Sequence, residues 1–515
     1  MLRETMSYAR RMMFVSVPLF AASCGDASGT SQETTNVTTV TPSTGMTSED
    51  STGPASTPTT SDGTTSGHGA TSATGETGSS SSTTMSTEAV KYDVGAADTS
   101  DTAVDCDPRP SDATVEGTVV APNLVIPVSG ALVYATATPP EGVPNEVYCA
   151  ECVDLPCDVP YVLTDPDGSF SLPVTSGMNW IVVQKGQFLR ATEIAVVPGP
   201  NPVTSDVTSL PDHRDEANHL YIPNIALALG EFDRLEDALG KLGLADTLID
   251  NNSYTEQFVE GTEQFDLWSN QSFSEYATKG TIADLLADPA ELAKYHILFV
   301  PCSDDPYIEQ MYGQTAKDNI RAWVAAGGRF YVADWSNEYL FAGFGQYQTF
   351  HKNAFGGGTD LSPPYDSLGD VLDADLLAWL MALPAALKDI NPMNGGFTDH
   401  PAIDMLPKLQ TVDSWSGVLS TPKVMVDDGM GGQVDVGHKI WLAGPGDGEN
   451  VPIDPPQPLT ISAAYGCGKI MFTTYHMAEF NDTYIGLTPQ ELVLLYLILE
   501  IGVCQQAFEP PPPPD

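Results

Sequence analysis

Positively charged residues are scarce in this chain of 515 residues. Lys and Arg number 21 against 68 Asp and Glu, which gives a formal net charge of −47 at pH 7. Such a surface repels phosphate backbones and anionic lipid head groups, which argues against nucleic-acid binding and against electrostatic membrane binding. We therefore expect no nucleic-acid partner.

The start of the chain lacks a hydrophobic run long enough to span a bilayer. The apolar run Met12–Ala22 has eleven residues, which suits the hydrophobic region of a signal peptide. It ends in Ala21-Ala22-Ser23-Cys24 and resembles a bacterial lipoprotein signal, although Ala21 stands where that family usually has Leu. The resemblance implies removal of 1–23 and a lipid on Cys24 that anchors the chain to a membrane. It places the protein in the cell envelope, at the outer membrane and outside the cytoplasm. The alternative is an ordinary cleaved signal with a chance cysteine.

The segment that follows, 24–104, lacks apolar periodicity. Between positions 25 and 90, 34 of 66 residues are Ser or Thr, and no Lys or Arg occurs between Arg11 and Lys91. Such a composition buries too little apolar surface to offset the entropy of ordering, so we predict a disordered stalk. The residues 506–515 form a Pro-rich tail.

Residues 105–212 carry short β-type runs separated by turn signals, which predicts an all-β sandwich. The run Ala113–Val120, for example, alternates apolar and polar residues. Three segments resemble the carboxypeptidase regulatory-like, or prealbumin-like, domain: 115–119, 127–133 and 164–172. The resemblance implies an accessory fold that is usually non-catalytic.

Seven cysteines remain after Cys24, and export makes disulfides their expected state. Four of them lie in or beside the predicted sandwich: Cys106, Cys149, Cys152 and Cys157. They form either two disulfides or a tetrathiolate zinc site, and export favours the disulfides. Cys467 and Cys504 are candidates for a further pair, which leaves Cys302 as a buried free thiol.

A second group of metal-ligand types follows the predicted sandwich. His213, Glu216 and His219 have helical spacing, but they come just after Pro211 in a charged junction. We interpret this segment as a solvated linker. We expect no metal and no cofactor in the protein.

Residues 220–505 alternate strand and helix patterns, which predicts an α/β doubly wound parallel sheet with an insertion at about 340–420. The predicted strands are 225–229, 296–300, 329–333 and 468–476. The predicted helices are 235–242, 281–294, 316–326, 488–501 and, in the insertion, 367–380.

The segments Tyr295–Cys302 and Ile320–Val332 resemble the class I glutamine amidotransferase-like superfamily, most of all its trehalose-utilisation-type members. The resemblance implies that the doubly wound sheet is flavodoxin-like. The resemblance implies a nucleophilic Cys on a strained elbow, with a His as its base. This chain has Asp334 at that elbow, so we expect a degenerate member of the family. His476 and Glu479 match the family's His and acid loosely.

The predicted topology places a crevice at the carboxyl ends of the strands. We expect ligand-binding side chains there from Asp233, Asp304, Asp334, Trp335 and His476. Carboxylates and aromatic rings suit a hydroxyl-rich ligand, either a carbohydrate or another polar small molecule. The alternative is a solvated acidic rim.

These patterns together predict a lipid-anchored envelope protein with several domains and a non-catalytic binding or structural role. The alternative is a hydrolase that acts on a carbohydrate or an amide. Its candidate catalytic residues are Asp334, His476, Glu479 and Cys302.

Overall fold

The computed structural model describes residues 110–511 apart from 151–154, 157, 273–275, 352–360, 362–363, 399, 428–430, 478–482 and 502–507. The described residues belong to one compact unit. The predicted signal peptide and stalk lie outside the described residues. So do six of the residues singled out above: Cys24, Cys106, Cys152, Cys157, Glu479 and Cys504.

Two β-sheets form the first part of the described chain. Their strands are β1 (Ala113–Thr118), β2 (Leu132–Thr136), β3 (Tyr161–Leu163), β4 (Ser169–Val174), β5 (Gly177–Lys185), β6 (Phe188–Val196), β7 (Gly199–Pro202) and β8 (Leu220–Tyr221). The sheet orders are β4-β1-β7 and β3-β2-β5-β6-β8. Val115 and Leu172 of one sheet share a buried apolar cluster with Val133 and Ile181 of the other. The predicted alternation explains this arrangement, because every second side chain of a strand faces the same side.

A larger sheet of nine strands follows, in the order β12-β9-β13-β14-β23-β22-β21-β16-β17. Its strands and the short strands around it are β9 (Ile225–Leu229), β10 (Thr247–Asp250), β11 (Thr255–Phe258), β12 (Asp266–Ser269), β13 (Ile297–Val300), β14 (Arg329–Ala333), β15 (Thr349–Phe350), β16 (Tyr365–Val371), β17 (Lys408–Ser414), β18 (Val418–Ser420), β19 (Met425–Asp427), β20 (Gln433–Asp435), β21 (Lys439–Gly444), β22 (Gln457–Tyr465) and β23 (Gly468–Thr473). The strands from β12 to β23 in this order pair in parallel. They are buried along most of their length, as parallel strands covered on both faces must be.

The α-helices are short, with two exceptions of twelve and thirteen residues. Their bounds are α1 (Ser205–Thr208), α2 (Leu235–Leu239), α3 (Ile282–Ala287), α4 (Pro289–Leu292), α5 (Ile308–Met311), α6 (Gln314–Ala325), α7 (Asn337–Phe344), α8 (Ala374–Ala382), α9 (Ala385–Lys388) and α10 (Pro489–Ile501). No helix within the described residues has the length and hydropathy needed to cross a membrane. The mixed α/β class, rich in sheet, is thus confirmed.

The sheet differs from the prediction because it is parallel over only part of its width. β22, β21, β16 and β17 pair antiparallel with their neighbours. A tight turn at Gly466 and Cys467 joins β22 to β23, and an antiparallel pair needs no helical crossover. Sequence alternation of strand and helix therefore detects the parallel half alone.

Two predicted helices are wrong in part. The segment 367–380 begins as strand β16, which pairs with β17 and β21, and only its second half is helical. Asp373 starts that helix, since its carboxylate accepts a hydrogen bond from the Leu376 backbone N–H at 2.7 Å. The predicted helix 281–294 divides at Asp288, where the carboxylate caps a second helix that begins with Pro289.

The two-sheet part packs tightly against the nine-stranded sheet. The Trp379 indole N–H donates to the Pro127 carbonyl at 2.8 Å, and Lys185 forms a buried ion pair with Glu500. A disulfide joins Cys149 to Cys467. Our prediction of a Cys467–Cys504 pair is therefore wrong, and the tetrathiolate zinc alternative loses Cys149. Spacing along the chain gave no sign of this bond, because its two cysteines are 318 positions apart.

Candidate functional site

The candidate site begins at two loops that follow the neighbouring strands β9 and β13. Gly230 follows β9 directly, and a Cβ atom at this position would lie 2.2 Å from the carbonyl oxygen of Cys302. Only glycine lets the two loops approach this closely. The two loops are joined by hydrogen bonds from the Phe232 backbone N–H to the Cys302 carbonyl, at 3.3 Å, and from the Glu231 backbone N–H to the Ser303 hydroxyl, at 3.3 Å.

Asp334 lies at the carboxyl end of β14, between the loop that carries Cys302 and the segment that carries His476. It follows β14 directly, is fully buried and has a φ of 47°, a left-handed conformation that is uncommon outside glycine. One carboxylate oxygen lies 3.1 Å from His476 Nδ1, and the other accepts a hydrogen bond from the Trp415 backbone N–H at 2.9 Å. Burial raises the pKa of Asp334 to about 7, and the contact with His476 opposes that rise.

His476 bridges two carboxylates. Its Nε2 lies 3.4 Å from the Asp413 carboxylate, on the side of the ring opposite the contact with Asp334. The side chain of His476 is buried, whereas that of Asp413 is 28% exposed. Asp413 is the last residue but one of β17, and Trp415 follows the end of that strand.

The Cys302 thiol completes the buried cluster. Cys302, Asp334 and His476 each offer a ligand atom, and these atoms lie within 4.8 Å of one another. Burial raises the pKa of the Cys302 thiol to about 12, with a further contribution from Asp334. The thiol is therefore protonated at neutral pH and is a poor nucleophile.

A second polar network lies beside this cluster. The Ser336 hydroxyl donates to the Pro301 carbonyl at 2.7 Å and to the Asp305 carboxylate at 2.8 Å, two alternatives for one proton. The same Asp305 oxygen accepts from the Asn270 amide at 2.7 Å, and Asn270 accepts in turn from the Tyr339 hydroxyl. Ser336 is fully buried and is committed to this network, so it is no partner for His476.

Three aromatic side chains form a row at the same edge of the sheet. The Phe232 and Trp335 rings are 5.5 Å apart between centroids, with 28° between their planes. The Trp335 and Trp415 rings are 6.3 Å apart, with 20° between their planes. Each of the three side chains is half-buried, so each keeps some surface in contact with solvent.

Acidic side chains lie in the loops that follow β9 and β13, next to Phe232 in the chain. Most of the Glu231 side chain is exposed. Partial loss of its hydration and the nearby charge of Asp304 raise its pKa. Asp304 is half-buried and accepts a hydrogen bond from the Ser272 hydroxyl at 2.9 Å. Asp233 is buried instead and accepts from the Met477 backbone N–H at 3.1 Å. The rim thus offers hydrogen-bond acceptors beside aromatic surface.

The predicted site residues come together in large part. Asp334 and His476 are in direct contact, Cys302 lies with them, and Trp335 and Asp304 border them. The predicted Glu479 lies outside the described residues. Sequence analysis missed Phe232, Asp413 and Trp415. An aromatic side chain just after the apolar run 225–229 was a usable signal for Phe232, whereas Asp413 and Trp415 come from the insertion and needed the fold.

The segment around His213 forms no metal site within the described residues. The His213 ring lies 2.6 Å from the Asp212 carboxylate and is half exposed. Glu216 pairs with Arg214, and the His219 ring packs edge-on against Trp180. Among the described residues, three or more potential ligands converge at the Cys302 cluster and not here.

Comparison with known proteins leaves the chain without an assigned family. No protein-family model matches it, and no curated protein matches it. One solved structure with local similarity is that of a candidate carbohydrate-binding protein from Bacteroides uniformis, at 13% identity and a TM-score of 0.13. The similar region covers 20% of this chain, and the chain spans about two fifths of that protein's length, 41%.

Proposed function

We propose that this protein binds a neutral carbohydrate at the carboxyl edge of its parallel strands, without converting it. The observation that carries the proposal is the aromatic row of Phe232, Trp335 and Trp415 beside the acidic rim. Binding pockets for small molecules combine apolar and aromatic walls with a few polar groups that fix orientation. A sugar ring stacks its C–H faces on aromatic rings, while its hydroxyl groups donate to carboxylates.

The strand order supports this location. In chain order the parallel strands are β9, β12, β13, β14 and β23, so their spatial order is 2-1-3-4-5, the order of flavodoxin-like sheets. Ligands of such sheets bind where the order reverses, here between β9 and β13. The loops with Phe232 and Asp304 follow these two strands. We propose on this basis a flavodoxin-like, degenerate amidotransferase-like domain, preceded by a prealbumin-like sandwich.

The negative charge of the protein determines which class of carbohydrate can bind. The chain carries a formal net charge of −47, and the rim of the site is itself acidic. Polysaccharides that carry carboxylates, sulfates or phosphates are repelled by such a surface. The ligand class is therefore an uncharged oligosaccharide.

The burial of the candidate nucleophiles favours a binding function over the hydrolase alternative. Asp334 and Ser336 are fully buried, and Cys302 is 1% exposed, so none of these nucleophile candidates faces solvent. A nucleophile must lie within reach of a bound substrate and of its base. His476 touches Asp334, yet that carboxylate is also held by the Trp415 backbone N–H.

The location of the protein belongs to the same proposal. The lipoprotein-like residues at Cys24 and the Ser/Thr-rich segment up to 104 support a lipid anchor and a spacer in the cell envelope, at the outer membrane. The folded part then presents its crevice to surface glycans. Replacement of Cys24 by Ser should move the chain from the membrane fraction to the soluble fraction, and retention in the membrane would refute the anchor.

Calorimetric titration of the purified full chain with cellohexaose, maltohexaose and chitohexaose tests the proposed ligand. At least one of these oligosaccharides should bind, and Trp335→Ala should weaken its affinity at least about tenfold, or 1.4 kcal/mol. Trp180→Ala is the matched control, because Trp180 is also half-buried but lies on β5. Lack of binding to all three sugars, or an equal loss in the control, would contradict the proposal. Release of shorter sugars during incubation would favour the hydrolase.

A further inference from the structure

Three buried side chains with different donor atoms meet at the ends of three adjacent parallel strands. Cys302 follows β13, Asp334 follows β14 and His476 follows β23. Their exposed fractions are 1%, 0% and 3%. Sulfur, carboxylate oxygen and imidazole nitrogen are the three donor types that zinc accepts in proteins. The carbohydrate proposal uses none of these three atoms.

The distances fit a metal ion with little adjustment. The ligand atoms lie within 4.8 Å of one another, and Asp334 lies 3.1 Å from His476 Nδ1. Zinc bonds of about 2.0–2.3 Å in a tetrahedron place donor atoms roughly 3–4 Å apart. Closure by about 1 Å, within reach of side-chain rotations, would complete the site.

Asp413 supplies the outer contact that metal-bound histidines commonly have. With Nδ1 directed at the shared centre, Nε2 carries the ring proton and faces the Asp413 carboxylate at 3.4 Å. A carboxylate in that place fixes the tautomer and the ring orientation of a ligating histidine. This contact is a second observation, independent of the three ligands.

We propose that Cys302, Asp334 and His476 bind one zinc ion, with Asp413 as the hydrogen-bond acceptor that holds His476. The thiol loses its proton to solvent as the sulfur–zinc bond forms, and Asp334 binds as the carboxylate, so zinc binding releases protons. Three protein ligands leave the fourth position to a water molecule.

Metal titration of the purified full chain tests this site. Zn(II), in competition with a chromophoric chelator, should bind at one equivalent. Co(II) at the same site should produce the near-ultraviolet charge-transfer band of a cobalt–thiolate bond. Cys302→Ser should abolish that band, and His213→Ala should leave both metals bound as before.

Asp413→Asn provides a second test of the zinc site in case the Cys302→Ser variant fails to fold. This partly exposed position should tolerate the change, and zinc affinity should fall about 10–100-fold while the fold remains intact by circular dichroism. Absence of stoichiometric zinc, a band that survives in Cys302→Ser, or unchanged affinity in Asp413→Asn would overturn the proposal. None of these results depends on carbohydrate binding.

Discussion

At the residue scale, burial determines the chemistry of this site more than residue type does. Sequence analysis selected Cys302, Asp334 and His476 from the amidotransferase-like resemblance and the predicted crevice, and the structure places them together. It could not show that all three are shielded from solvent. It also could not find Asp413 or Trp415. Their approach to the site depends on how β16 and β17 join the nine-stranded sheet.

The burial of Asp305 can be tested through the pH dependence of the protein's stability. Burial raises its pKa to about 8, with Glu338 and Asp304 adding to the rise and hydrogen bonds from Ser336 and Asn270 opposing it. An Asp in an unfolded chain has a pKa near 3.9. The folded state therefore keeps a proton that the unfolded state has lost, and this contribution to stability falls as pH rises from about 4 to about 8.

Urea unfolding of wild type and Asp305→Asn at about pH 5 and pH 8 measures this effect. Between the two pH values the wild type should lose on the order of 1–3 kcal/mol more unfolding free energy than the variant. Asp165→Asn, at an exposed position that does not act on Asp305, is the control and should keep the wild-type difference. Equal losses in wild type and Asp305→Asn would show that this carboxyl group is not shielded.

At the element scale, the parallel strands were the most predictable part of the fold. Their continuous apolar runs, such as 225–229, can be identified without any tertiary information. The strands of the antiparallel half were not predicted, because their pairing depends on partners that are distant in the chain. β16 shows this best, since its sequence continues into α8 and the two together resemble one amphipathic helix.

The contact between the β9 and β13 loops can be tested at Gly230. Gly230→Ala places a methyl group 2.2 Å from the Cys302 carbonyl oxygen, so the loops must separate. We expect a loss of about 1–3 kcal/mol in unfolding free energy, measured by urea denaturation. We also expect weaker binding of the oligosaccharide.

Gly343→Ala in α7 is the matched control. Its new methyl group would meet the end of the Met311 side chain at 3.3 Å and Ile320 Cγ2 at 3.7 Å, an ordinary contact. Because alanine favours helix by about 1 kcal/mol over glycine, stability should stay level or rise. A Gly230 variant as stable as this control would contradict the close approach of the two loops.

At the scale of the whole molecule, the two-sheet part and the nine-stranded sheet behave as one packed body over the described residues. Both parts contribute to one buried apolar cluster, and the Cys149–Cys467 disulfide joins them. Composition indicated two folded segments and a stalk, but it could not indicate their contact. The wrong pairing of Cys467 with Cys504 shows why, since cysteine partners follow from three-dimensional proximity.

The Cys149–Cys467 disulfide can be tested by peptide mapping and by its effect on the stability of the whole molecule. Peptide mapping of the unreduced protein should recover a peptide that links Cys149 to Cys467. Cys467→Ser should lower the unfolding free energy by about 2–5 kcal/mol, since the bond closes a loop of more than 300 residues. Cys504→Ser is the control and should leave the linked peptide in place. Recovery of a Cys467–Cys504 peptide instead would contradict the structure.

The central claim is that the aromatic row at the carboxyl edge of the parallel strands holds a neutral sugar. The most direct measurement is a nitrogen–proton spectrum of the protein labelled at its 7 tryptophans, recorded during titration with the oligosaccharide panel. The indole signals of Trp335 and Trp415 should shift together and saturate at one ligand per chain, while the Trp180 signal stays in place. Indole signals that stay unchanged with all three sugars, or shifts confined to tryptophans outside the row, would contradict the claim.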